Sequence, residues 1–159
     1  NVIMKDVPYL ENIFYKLADT SRVSELMARN YYKNYINGSD KMLEHDEFKI
    51  LAHIMRNPNL SQSDISKLVF KGKAHVGKIL NSMEQKGYIE RVLSLNNNIM
   101  VKHNVITKLG FELYENTDKK FKEVATKTLE NFSDSEIVLL KDLLDKLKDR
   151  ILETNKIYF

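Results

Sequence analysis

Apolar residues recur at helical spacing along most of the chain, and the places where that rhythm breaks divide it into elements. Between Pro8 and Gly38 nothing interrupts a helix. Leu10, Ile13, Phe14 and Leu17 share a face, and Leu26, Met27, Tyr31, Tyr35 and Ile36 continue it after a polar interval. One long helix ending near Asn37-Gly38 is predicted. A second helix is expected from about Glu44 to Arg56, with Phe48, Leu51, Ala52 and Met55 as its apolar face and Asn57-Pro58 as its stop. Ser61 to Asp64 then forms a capping pattern, with Leu60 and Ile65 placed as a hydrophobic staple around it. The helix that starts there buries Ile65, Leu68 and Val69. A corner at Phe70 to Gly72 follows. From Lys73 a fourth helix carries Val76, Ile79, Leu80 and Met83 as its stripe and closes at Lys86-Gly87.

After Gly87 the period changes to two. Ile89, Arg91, Leu93 and Leu95 alternate with their neighbours, as do Ile99, Val101, His103 and Val105. Asn96-Asn97-Asn98 lies between these runs, which predicts a β-hairpin. Helix resumes near Thr107 and runs to about Asn131. A second capping box, Ser133 to Glu136 with a Phe132/Ile137 staple, starts the last helix. There Ile137, Leu140, Leu144, Leu147 and Ile151 step by threes and fours, a coiled-coil-like seam. The fold class expected is mainly α, with a two-stranded β wing after a helix-turn-helix.

Composition narrows the chemistry. There is no cysteine, so disulfides, thiolate metal sites and thiol redox sensing are excluded. No stretch approaches the roughly 18–20 apolar residues of a membrane span. No secretory signal is visible, and a cytoplasmic protein is the simplest expectation. His45 and His53 lie eight residues apart, too far to share an ion directly, and Asp46-Glu47 is expected to be a solvated helix start. No metal, no cofactor and no catalytic constellation is expected, so an enzyme is not the reading. The formal net charge of +3 is small, but Phe70 to Asn104 holds Lys71, Lys73, Lys78, Lys86, Arg91 and Lys102 against only Glu84 and Glu90. Such a local basic excess suits a polyanion at one face.

Helix, helix, capped helix, tight corner, helix and hairpin is the order of a winged helix-turn-helix, whose second turn-flanking helix enters the DNA major groove. The face opposite the apolar stripe of the fourth helix centres on Ala74, Lys78, Asn81 and Gln85, with His75, Gly77 and Ser82 beside them. Ala74 and Gly77 allow close approach. Lys78 can bond guanine, and Asn81 can pair with adenine. Lys71 and Lys73 suit phosphate, as do backbone N–H groups at Ser61, Gln62 and Ser63. Arg91, Asn97, Asn98 and Lys102 on the wing complete the candidate DNA surface.

The segments "LSQSDISKLV", "AHVGKILNSMEQKGYIER" and "ITKLGFELYE", with the hairpin before the last, resemble the MarR family (multiple antibiotic resistance regulators). "LEHDEFKILAHI" is similar to the family's second helix and "LENFSDSEIVLLKDLLDKL" to its last turn and final helix. The resemblance implies a homodimer gripping a pseudo-palindromic DNA operator. It assigns 4–37 and 107–159 to dimerisation and 43–106 to DNA binding. Leu10, Ile13, Phe14, Ile137, Leu140, Leu144, Leu147 and Ile151 then build the dimer interface. Contact positions of the recognition helix fall on Lys73, Ala74, His75, Gly77 and Lys78. It also implies an effector cleft near Tyr31, Tyr35 and Phe48, for a small aromatic or anionic molecule that relieves repression. Two departures are visible. The wing tip has asparagines where the family usually has arginine, in a hairpin that looks about one residue longer, and Gly77 stands where threonine is frequent. A winged-helix module for an acidic protein, or a ligand-binding dimer without DNA function, are the alternatives.

Overall fold

Asn12 starts the first long helix. Pro8 opens a short 3₁₀ turn, Pro8–Glu11, and the Asn12 Oδ1 then accepts from the Phe14 N–H at 2.9 Å. The single helix expected from Pro8 is therefore broken by a side-chain cap, and α1 spans Ile13–Tyr35. The structure, a computed structural model, describes residues 7–35 and 41–159. Ile36, the expected helix end at Asn37-Gly38 and the side chain of Tyr35 lie outside the described residues. The order continues α2 His45–Arg56, α3 Gln62–Val69, α4 Lys73–Gln85, β1 Ile89–Asn96, β2 Ile99–Ile106, α5 Lys108–Thr128 and α6 Asp134–Thr154. Among the described residues the chain is mainly helical with one antiparallel strand pair, a winged helix flanked by long helices.

The core gathers Leu43, Ile50, Leu51, Ile54, Leu60, Ile65, Val69, Val76, Leu80, Met83, Ile89 and Leu113. It fixes which face of each helix turns inward, and in two places that differs from the sequence pattern. On α2 the buried side is Glu47, Ile50, Leu51 and Ile54, while Met55 is exposed and Phe48 half-buried. On α3 the buried residues are Ile65, Ser66 and Val69, and Leu68 faces outward.

Glu47 is the larger correction. It is 4% exposed rather than solvated, because Lys86 reaches across from the end of α4 to bond its Oε2 at 3.0 Å. Its Oε1 accepts from the Glu44 N–H in a capping box at the start of α2. Burial opposes the charge on Lys86, but the hydrogen bond and the charge of Glu47 overcome it and raise the ammonium pKa above its ordinary value. Lys86→Met strands a buried carboxylate. We expect the denaturant midpoint to fall by the equivalent of about 1–3 kcal/mol, discounted for the half-exposed lysine. Glu47→Leu in the same chain should recover most of the loss.

Residues in the left-handed conformation set three joints of the lobe. Gly87, at φ +79, ends α4 in the left-handed conformation, with the Tyr88 N–H donating back to the Met83 carbonyl at 2.9 Å. Thr107 caps α5 and also donates to the Gly87 carbonyl at 2.6 Å. At the α3–α4 corner the left-handed residue is Phe70 (φ +54), not Gly72. The Lys71 N–H donates to the Ser66 carbonyl there, and the Ser66 hydroxyl bonds the Lys71 carbonyl. At the wing tip Asn96 pairs with Ile99, and Asn97 (φ +51) and Asn98 (φ +63) form a two-residue turn. Positive φ at both central positions marks a type I′ turn, for which asparagine is favoured. Backbone geometry thus accounts for the Asn cluster.

Candidate nucleic acid interface

α4 buries Val76, Leu80 and Met83 completely and leaves Lys73, Ala74, His75, Lys78, Asn81 and Gln85 exposed, as the 3.6-residue period requires. The capping box at Ser61 forms as expected. Asp64 N–H donates to Ser61 Oγ at 3.1 Å, and Ser61 N–H to Asp64 Oδ2 at 3.0 Å. Those Ser61 hydrogen bonds, backbone first, hold the Asp64 carboxyl below its ordinary pKa. They also occupy the Ser61 N–H, so the groups at the start of α3 open to an anion are those of Gln62 and Ser63.

The basic residues separate into two sets. Lys71 sits 3.4 Å from Asp46 and Lys86 3.0 Å from Glu47, so two of the cations counted in the local basic excess, one of them an expected phosphate contact, are compensated within the protein. Lys73, Lys78 and Lys102 have no acidic partner among the described residues. What remains is a smaller positive surface, concentrated on the first half of α4 and the middle of the wing.

Gln62, Gly77, Asn81 and Arg91, each expected to face DNA independently, are instead joined. Arg91 on β1 donates Nη2 to Gln62 Oε1 at 2.8 Å and Nη1 to Asn81 Oδ1 at 2.6 Å. Gln62 Nε2 donates in turn to the Lys73 carbonyl at 3.1 Å. The amide of Gln62 lies directly over Gly77, where a Cβ would come within 2.8 Å of Nε2. So Gly77 is small because a side chain from α3 crosses it. Wing, α3 and α4 form one connected surface.

Asn97 and Asn98 project at the far end of the wing, among exposed Leu95, Ile99 and Met100. Of the expected effector-cleft residues, Phe48 stacks between Tyr114 (4.9 Å) and Phe121 (5.4 Å) and fills the α2–α5 junction. Tyr31 is half-buried on α1. A cavity of about 390 Å³ is lined by Arg29, Tyr32, Glu44, His45, Asp46 and Lys71 among others, and neither Tyr31 nor Phe48 lines it. Burial, then the charge of Lys49, lowers the His45 pKa and favours neutral imidazole. The sequence did not mark Arg29, His45 and Lys71 as neighbours, because α1, α2 and the α3–α4 corner meet only in the fold.

The eight expected interface residues lie on α6, on α1 and in the turn before it. No residue of α6 is buried, and Leu140 and Leu144 are each 46% exposed. Ile13 and Phe14 are more exposed still, and Ile137, Leu147 and Ile151 are half-buried. No helix among the described residues is long and apolar enough to cross a membrane.

Comparison with known proteins agrees with this geometry. Residues 43–96 match the MarR family. No curated protein sequence matches the chain. Among solved structures, S. aureus MepR in complex with DNA is similar at 19% identity and TM-score 0.71, covering 88% of this chain and 96% of that one. Streptococcus pneumoniae FabT in complex with DNA is similar at 22% identity and TM-score 0.69, covering 91% and 100%. PcaV from Streptomyces coelicolor, solved with its natural ligand, is similar at 14% identity and TM-score 0.71, covering 92% and 98%. The winged segment of the chain, residues 43–96, is thus similar to the MarR family, and its fold is shared with these winged-helix structures.

Proposed function

We propose that the protein is a homodimeric, sequence-specific DNA-binding repressor, released from its operator by a small molecule. The observation that carries the DNA reading is the solvent face of α4: unpaired Lys73 and Lys78 beside Ala74 and His75, next to the open N–H groups of α3. Two of the similar structures hold DNA. In this reading the start of α4 lies in the major groove and Lys78 bonds guanine O6 or N7. Lys73 and the α3 N-terminus take phosphates and set the register.

The dimer reading rests on the exposed apolar length of α6 and the start of α1, more than a monomer leaves in water. The operator would have half-sites roughly 34–36 Å apart, one helical turn. For the effector, PcaV with its ligand supports the class of behaviour. The cavity by Arg29 and Lys71 suits a small anion with an aromatic body, which Tyr32 could face. Such an anion competes with Asp46 for Lys71 at the corner that leads into α4. A ligand that prefers the displaced corner shifts the population away from the DNA-competent arrangement.

The test is a titration of a selected duplex against a scrambled one at two salt concentrations. Selective binding with a steep salt slope is expected. Lys78→Ala should cost about 1–3 kcal/mol on the selected duplex and relax sequence preference. Equal, weak binding to both duplexes would sink the reading and favour a module for an acidic protein partner or a ligand-binding dimer.

A further inference from the structure

Arginine carries only donors, so it decides which end of an amide faces it. Gln62 is engaged at both ends, its Oε1 by Arg91 Nη2 and its Nε2 by the Lys73 carbonyl. Asn81 is engaged at one end only. Its Oδ1 takes Arg91 Nη1 at 2.6 Å, which leaves the two N–H donors of Nδ2 free on an exposed position of α4. The guanidinium is held by these two bonds through its Nη atoms, while its Nε is buried without a partner. Gly77 permits the arrangement, since a side chain there would push the Gln62 amide aside.

An asparagine reads adenine by offering an acceptor to N6 and a donor to N7 at once. Arg91 takes one of the two lone pairs of Oδ1 and holds the amide from that end, which disfavours presenting both of its ends to adenine at once. The groups that suit the free Nδ2 donors are acceptors: guanine N7 or O6, and thymine O4. We propose that Arg91 is a positioning residue that sets the base preference of Asn81, turning its free Nδ2 donors toward guanine or thymine. This rests on α4 lying in the major groove, as proposed above. It removes the side chains of Arg91 and Gln62 from the set of direct DNA contacts and gives the arginine at the base of the wing a role in specificity.

Selection from a random duplex pool with the full chain tests it. The wild type should choose guanine or thymine at one position of each half-site. Asn81→Ala should lose that preference and keep the rest of the motif. Arg91→Met, with folding checked by circular dichroism, frees Oδ1 and should shift that position toward adenine by about fivefold or more. Gln62→Met leaves Arg91 on Asn81 and should retain the wild-type base. Asn81→Asp keeps the Arg91 contact and the fold but has no donor, so the preference should disappear even if Arg91→Met folds poorly. A motif that survives Asn81→Asp unchanged, or adenine at that position in the wild type, overturns the proposal alone. The same is true if folded Arg91→Met keeps the wild-type base. A wild-type pool with no motif overturns the DNA reading and this proposal with it.

Discussion

Gly110→Ala should destabilise the protein by about 3 kcal/mol or prevent folding, the largest stability effect expected of any single methyl group in the chain. A Cβ at this position would stand 2.1 Å from the Tyr88 carbonyl oxygen and 3.1 Å from Ile106 Cγ1. The first of these is backbone and is itself held, because the Thr107 N–H donates to it at 3.1 Å. Thr107 Oγ1 also bonds the Gly87 carbonyl and accepts from the Gly110 N–H at 3.0 Å. The start of α5 is thus pinned against the turn between α4 and β1, and no side-chain rotation can relieve the contact. Alanine is the better helix former, by roughly 1 kcal/mol, so propensity alone predicts the opposite sign. Chemical denaturation with an unchanged m-value would measure the loss. A stabilised Gly110→Ala would mean that α5 does not press on Tyr88.

Leu140→Glu should convert the protein to a monomer and lower its affinity for a two-half-site duplex by about two to four orders of magnitude. The side chain is 46% exposed in the single chain, so the protomer itself has little to lose. A second copy would bury it, and a carboxylate there would face desolvation without a partner. DNA affinity falls because two linked lobes bind as one event, and uncoupling them forfeits an effective concentration worth about 10²–10⁴. Sedimentation with and without the substitution reads the first effect, and titration on half-site and full-site duplexes reads the second. If the variant stays dimeric with full affinity, the α1 and α6 faces are not the interface.

How much of this was legible beforehand depended on the range of each interaction. The capping boxes at Ser61 and Ser133 were visible because donor and acceptor lie three residues apart. Gly87 was visible because a helix end needs a left-handed residue close by. The α4 stripe was legible from spacing alone. Glu47 was misjudged because its partner, Lys86, is 39 residues away. The basic excess between Phe70 and Asn104 was a true count but a poor map, since Lys71 and Lys86 are paired with acids of α2. Gln62, Asn81 and Arg91 were each candidates for DNA contact. That they bond one another depends on how β1 folds back over α3 and α4, which no local pattern encodes. Asn97 and Asn98 illustrate the reverse case, in which residues singled out for chemistry have a backbone reason to be there.

The absence of cysteine makes the central claim directly measurable. Lys78→Cys places a single thiol on the exposed face of α4, to which a DNA-cleaving chelate can be attached. On a selected duplex we expect strand scission at two clusters one helical turn apart, with the pattern lost on scrambled DNA. Scission spread evenly along both duplexes, or none at all, would contradict an α4 seated in the major groove.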